Sequence, residues 1–150
     1  MADASNDATL FTGQFIITAK DHKKYDRAAR ITATSIEDDS DTKLELDINT
    51  ELLDIHPGTN VEVCLASTLS LDGTADDDRG WRDAAKVGVA TLADNFEYVC
   101  YGKIYKFEDS KTAKTLKVYA SFGGLLMALE GPDHKLTPLR VDHVYLLIRR

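Results

Sequence analysis

Cysteine is scarce in this chain. Cys64 and Cys100 are the only two, far apart and in no CxxC pair, so the pattern reads as free thiols in a reducing, intracellular compartment. No apolar run approaches the roughly 20 residues that span a bilayer. Residues 1–8 are polar and acidic at their start and read as a frayed terminus, not a signal peptide. Basic excess is missing too: 18 Lys and Arg against 25 Asp and Glu give a formal net charge of −7, which argues against wholesale wrapping of nucleic acid. There is no GxSxG elbow, no GxGxxG and no GxxxxGK[ST]. His22, His56, His134 and His143 are scattered, with no cysteine at zinc-site spacing, and read as surface residues where they fall in turns. No metal, cofactor or catalytic centre is nominated by this inventory.

What is present is β-structure. At 150 residues the chain is expected to be one domain, 1–150, long enough to bury roughly 68–70% of its unfolded surface. Its 43% hydrophobic and 29% charged content suit an ordinary globule. Leu10 to Lys20 places Phe11, Phe15 and Ile17 on one side. Ala28 to Ile36 is rich in β-branched residues. Thr42 to Leu52 alternates, with Leu44, Leu46 and Ile48 inward and Glu45, Asp47 and Asn49 on a wet outer face. Val61, Val63 and Leu65 supply the next inward set. Segments Phe96–Glu108, Thr115–Phe122, Gly124–Glu130 and His143–Arg149 complete about eight strands, and no useful length of chain carries a 3.6-residue stripe. Such a set fits a closed, antiparallel all-β barrel, whose closure removes edge strands. Gly102, Gly123 and Gly124 mark sharp coiling, a bulge or a turn. Tyr98–Gly102 and Tyr119–Gly123 both read Tyr-x-x-aromatic-Gly, which marks either two related halves or coincidence.

Residues 70–95 break the pattern and read as one long loop whose composition favours mobility, with Trp81 as its available anchor. Asp72, Thr74 and Asp76 imitate the start of a calcium loop. Asp77 stands where that loop needs glycine and Asp83 where it needs glutamate, so a solvated acidic loop is the better reading.

Two runs lack alternation: Leu125–Leu129 and Tyr145–Ile148 are apolar at consecutive positions, the mark of strands covered on both faces. One cover is the barrel core. The other is either a partner protein or this chain's own long loop. The partner reading nominates Phe122, Gly123, Gly124, Leu126, Tyr145, Leu147 and Arg149 as an interface, with Leu126, Tyr145 and Leu147 as its exposed set. Separately, Lys23, Lys24, Arg27 and Arg30 cluster about Tyr25 in the first predicted hairpin. Small barrels hold single-stranded nucleic acid with such basic and aromatic groups. A free-standing single-stranded nucleic-acid binder is therefore the alternative to an assembly module.

Several motifs together resemble one family. They are Asp47-Ile48-Asn49-x-Glu51-Leu52, Ala66-Ser67-Thr68-Leu69, Tyr98-Val99-x-Tyr101-Gly102-Lys103-x-Tyr105-Lys106-Phe107-Glu108, Ser121-Phe122-Gly123-Gly124-Leu125-Leu126-Met127-x-Leu129-Glu130-Gly131 and Tyr145-Leu146-Leu147-Ile148-Arg149-Arg150. In this order they resemble the eighth subunit of eukaryotic nuclear RNA polymerase, the small subunit common to polymerases I, II and III. The likeness runs from about Leu10 to Arg150 and is least close in the first hairpin and the long loop. It implies an eight-stranded antiparallel barrel of the oligonucleotide/oligosaccharide-binding (OB) type and a non-catalytic structural role. It further implies docking on the largest polymerase subunit, location in the nucleus including the nucleolus, and weak single-stranded DNA affinity near Asp21–Glu45. Polymerase chemistry needs an aspartate-rich, magnesium-holding loop that belongs to the largest subunit. Ala93-Asp94-Asn95-Phe96-Glu97 here lacks that run.

Overall fold

The computed structural model describes residues 9–22, 27–36, 42–68, 95–110, 112 and 114–150. The expected frayed terminus, the 70–95 loop but for residue 95, Trp81, the calcium-like acidic run and Lys23, Lys24 and Tyr25 lie outside those residues. Eight strands are present: β1 Thr9–His22, β2 Ala28–Ser35, β3 Lys43–Asn49, β4 Asn60–Ala66, β5 Tyr98–Ser110, β6 Thr115–Phe122, β7 Leu125–Pro132 and β8 His143–Arg149. They close a barrel in the order β1-β2-β3-β7-β6-β5-β8-β4, every neighbouring pair antiparallel. This is the expected closed eight-stranded barrel, consistent with the OB type.

Alternation builds the core. In β6, Leu116, Val118, Ala120 and Phe122 turn inward while Lys117, Tyr119 and Ser121 turn out. Inward residues from all eight strands form one cluster around Phe15, Ile31, Leu46, Val118, Leu129 and Leu146. β3 stops earlier than its sequence pattern, at Asn49, because the Asn49 side-chain oxygen accepts the Glu51 N–H (2.9 Å) while its carbonyl accepts from Leu52 and Leu53. Leu52 is consequently flung into solvent, and Leu53 and Ile55 are buried in the core behind the turn. A single helical turn, α1 (Asp133–Leu136), and a 3-10 turn (Thr137–Leu139) were not foreseen; each donates one fully buried leucine, Leu136 and Leu139, to the core.

The Gly-Gly break between β6 and β7 is a two-residue hairpin turn. Gly123 and Gly124 have φ of +65° and +95°, and Phe122 pairs with Leu125 across it. A turn left-handed at both central residues matches the twist of the flanking strands, and two glycines adopt it without strain. Gly102 serves a different need. A Cβ there would run into the Ser121 carbonyl oxygen and the Phe122 ring. β5 thus coils hard against β6, and Phe122 packs over the missing side chain. One step further, the β5–β6 register slips between Ile104 and Lys106, so Tyr105 occupies a bulge.

The Tyr-x-x-aromatic-Gly echo does not mark equivalent halves. Tyr98 is 3% exposed and faces in, whereas its counterpart Tyr119 faces out; Tyr101 faces out, whereas Phe122 faces in. The two segments run with opposite parity.

Candidate docking surface

The outer face of β3, β7, β6 and β5 is where the exposed apolar side chains concentrate. Register sets its rows. Lys43, Glu130, Lys117 and Glu108 lie side by side on successive strands, an alternating row of charge. The next row is Glu45, Ala128, Tyr119 and Lys106. Because Ala128 is small and the Tyr105 bulge throws its ring sideways, this second row contains a groove. It encloses about 160 Å³ and is lined by Arg30, Glu45, Tyr105, Tyr119, Leu126, Met127 and Ala128. Tyr105 is 52% exposed and Leu126 39%, while the Tyr105 and Tyr119 rings stand 6.2 Å apart.

Fixed polar contacts hold the groove's walls. The Tyr119 hydroxyl donates to Glu108 (2.9 Å), and Glu108 also receives Lys106 at 3.1 Å. The Tyr119 hydroxyl, then the lysine, keep the Glu108 carboxyl below the usual carboxylate range; the Lys106 ammonium is raised by the same carboxylate. Lys106 and Lys117 both stand over the Tyr119 ring, at 5.3 and 5.2 Å.

On the opposite wall, Asp47 is nearly fully buried at 5% exposure. Arg30 donates to it through Nε (2.9 Å) and a terminal nitrogen (3.3 Å), and the backbone N–H of Leu126 donates at 3.1 Å. The β3–β7 ladder runs only as far as Leu46–Met127. Asp47 therefore supplies the acceptor that the ladder no longer provides and ties β2, β3 and β7 together. The expectation of a wet outer face at Asp47 is corrected, because two other strands converge on it.

Arg30, expected as a nucleic-acid contact, is committed to this pair; the hydrogen bond it donates to Asp47 raises its already high pKa. Arg27 is well exposed and stands 3.2 Å from Glu51. Neither is an unpaired cation.

The expected interface residues divide. Gly123, Gly124 and Leu126 are exposed, and Leu126 lines the groove. Phe122 points into the core at 5% exposure. Tyr145 and Leu147 are not the exposed set: at 3% and 0% exposure they form a second cluster with Cys64 and Ala66, against which Phe96 and Val99 pack. Their strand β8 lies between β4 and β5, so Leu147 sits between Cys64 and Val99, and Tyr145 between Ala66 and Tyr101. Both faces of β8 are therefore buried within this chain, with Phe96 and Val99 packed against the second cluster; the long loop expected as that cover lies outside the described residues but for residue 95. Burial drives the Cys64 thiol up to about 11 and raises Cys100 as well. Arg149 is exposed, donates to Glu62 (2.7 Å) and lies 5.1 Å over the Phe96 ring.

Sequence reasoning missed Tyr101, Lys103, Tyr105 and Tyr119 as surface residues of interest. The signal was there: Tyr101-x-Lys103-x-Tyr105 puts two aromatics and a cation on one strand face, opposite Gly102 and Ile104. Tyr101 stacks on His143 (5.6 Å, 5° between planes) and touches Tyr145 (4.7 Å). Elsewhere, a cleft of about 370 Å³ beside β1 is lined mainly by its strand residues, with Ser35, Thr42 and Lys135. Among the described residues no three His, Cys, Asp or Glu side chains gather as metal ligands.

A closed antiparallel barrel, with its polar groups spent on holding strands and its exposed aromatics on one outer face, defines a small barrel module that works through its surface. The chain belongs to the RNA polymerase Rpb8 family, whose model matches residues 13–150. It is 42% identical over 146 residues to DNA-directed RNA polymerases I, II, and III subunit RPABC3 of Saccharomyces cerevisiae, with 95% of this chain and 98% of that protein covered. It is 36% identical to the Schizosaccharomyces pombe protein of the same name (97% and 99% covered). Identity to DNA-directed RNA polymerases II, IV and V subunit 8B of Arabidopsis thaliana is 38%, again with 97% and 99% covered.

Proposed function

We propose that this chain is a non-catalytic structural subunit of the nuclear DNA-directed RNA polymerases I, II and III. Membership of the Rpb8 family across residues 13–150 carries this reading, together with yeast relatives that bear that subunit's name over nearly their whole length. The same likeness favours a polymerase subunit over a free-standing nucleic-acid binder. The chain acts in the nucleus, and through polymerase I in the nucleolus. It docks on the largest subunit, using the face that carries Gly123, Gly124 and Leu126 rather than the enclosed Tyr145 and Leu147. A weak contact with single-stranded DNA falls to the Lys23, Lys24 and Tyr25 hairpin, since Arg27 and Arg30 are engaged by Glu51 and Asp47.

The test is affinity purification of the tagged chain from its own cells, with mass spectrometry of stoichiometric partners. Large subunits of all three polymerases should be recovered. Elution as a lone monomer would overturn the reading.

A further inference from the structure

The charged side chains on this barrel are mostly spoken for. Arg27, Arg30, Lys106, Arg140, Arg149 and Arg150 each face a carboxylate of this chain within 4 Å. Lys103 does not. It is exposed in the middle of β5, its register neighbours are Ser121 and His143, and among the described residues it has no ion-pair partner. On either side of it along the same strand face stand Tyr101 and Tyr105, each 52% exposed. Two strands over, across Ser121, lies Leu126 with the groove beside it, about 10 Å from Lys103 by strand spacing.

We propose that this patch binds an extended acidic segment of the partner polypeptide, its carboxylate on Lys103 and a neighbouring aliphatic side chain in the Tyr105–Tyr119–Leu126 groove. The inference rests on the polymerase-subunit reading and names the chemistry of that contact. Three observations select this occupant. The groove's 160 Å³ suits one aliphatic side chain, with Tyr105, Tyr119, Leu126, Met127 and Ala128 lining it beside Arg30 and Glu45. The unpaired ammonium complements a carboxylate, and tyrosine is among the residues enriched at interface hot spots. At Lys103, β5 is paired on both sides, to β6 and to β8, so no strand edge is open there for backbone pairing and side chains must hold the partner.

A nucleic acid fits less well. Base stacking needs open ring faces, but Tyr101 is stacked on His143 and Tyr119 lies beneath two lysines. One ammonium without a carboxylate partner in this patch, on a chain of net charge −7, is also too little to track a phosphate backbone.

The experiment replaces Tyr105 with photoreactive benzoylphenylalanine in the full-length tagged chain, irradiates cells, and identifies the crosslinked peptide by mass spectrometry. In parallel, Lys103→Glu, Leu126→Asp and Tyr105→Ala are compared for recovery of polymerase large subunits, with circular dichroism and thermal melting as the folding control. The expected result is a crosslink to a polymerase segment carrying an acidic and an aliphatic residue. Recovery should fall roughly tenfold in folded Lys103→Glu. Folded variants that all recover polymerase at the wild-type level would overturn the proposal, as would a crosslink to nucleic acid or to a basic segment. If the wild-type chain recovers no polymerase, the subunit reading fails by itself. The crosslink then still decides the patch: an acidic, aliphatic protein segment supports it, and no adduct rejects it.

Discussion

Removing the Asp47 carboxylate should destabilise the barrel far more than a surface acid would. Asp47→Ala deletes three hydrogen bonds at once, two from Arg30 and one from the Leu126 N–H. The Arg30 side chain is 37% exposed, so water rehydrates the stranded guanidinium and the pair itself contributes only about 1 kcal/mol. The Leu126 N–H is part-buried and loses its acceptor, which costs about 1–3 kcal/mol. Together these give a loss of about 3 kcal/mol, or roughly 6–12 °C in Tm for a chain of this size. Asp47→Asn keeps an acceptor for Leu126 and should lose about 1 kcal/mol. Urea unfolding of Asp47→Ala, Arg30→Met and the double variant closes a double-mutant cycle. Amide hydrogen exchange reads the Leu126 N–H directly, and it should lose protection in Asp47→Ala but largely keep it in Arg30→Met. An Asp47→Ala protein within about 0.5 kcal/mol of wild type would refute the reasoning, because that is the range of an ordinary surface substitution.

Leu147→Ala should cost about 2–5 kcal/mol, since it opens a cavity in the second cluster, and denaturant melts should show this without any partner present. Gly102→Ala must move either the Ser121 backbone or the Phe122 ring and should lose about 1–3 kcal/mol; a melt unchanged from wild type would mean β5 has slack at the kink. With Cys64 raised to about 11, very little of it is thiolate at pH 8, so an aromatic disulfide reagent should label the native chain slowly and the denatured chain fast. Rapid native labelling of Cys64 would contradict that burial. The Glu97 carboxyl is held below its ordinary range by hydrogen bonds from Arg150. A depressed folded pKa means its contribution to stability is present above the ordinary carboxylate range and disappears as pH falls through the folded value. A carbon-detected NMR titration should show the shift, and Arg150→Ala should abolish most of it.

What could be seen in the chain beforehand followed from local rules. Alternation in Thr42–Leu52 placed Leu44, Leu46 and Ile48 inward, and the Gly-Gly dipeptide placed the break between β6 and β7, because strand parity and left-handed turns are written in adjacent residues. Most of the misses were long-range. Nothing beside Asp47 in sequence shows that Arg30 and Leu126 will arrive on either side of it. Tyr145 and Leu147 looked available because a strand's second cover comes from elsewhere in the chain; here Phe96, about 50 residues earlier, packs against the cluster they form with Cys64 and Ala66. The short helix escaped notice because four residues cannot display a 3.6-residue period, yet Leu136 needed only one turn to reach the core. The Tyr101–Lys103–Tyr105 face was legible as alternation. Its meaning depended on Gly102 turning inward and on the bulge that swings Tyr105 toward Tyr119.

The position of β8 has a kinetic meaning. It sits between β4 and β5, whose nearest ends are more than 30 residues apart in sequence, and it is the last strand in chain order. Until β8 inserts, each of those strands keeps a row of unsatisfied backbone donors and acceptors, and no local hairpin can cover them. Ring closure therefore waits on contacts of high sequence separation, the slow class of folding step. During that wait the nascent barrel is exposed to the wrong kind of partner, another open edge of its own kind. A chain lacking Val144–Ile148 would be fixed in that state, prone to self-association well before its docking surface ever met a polymerase.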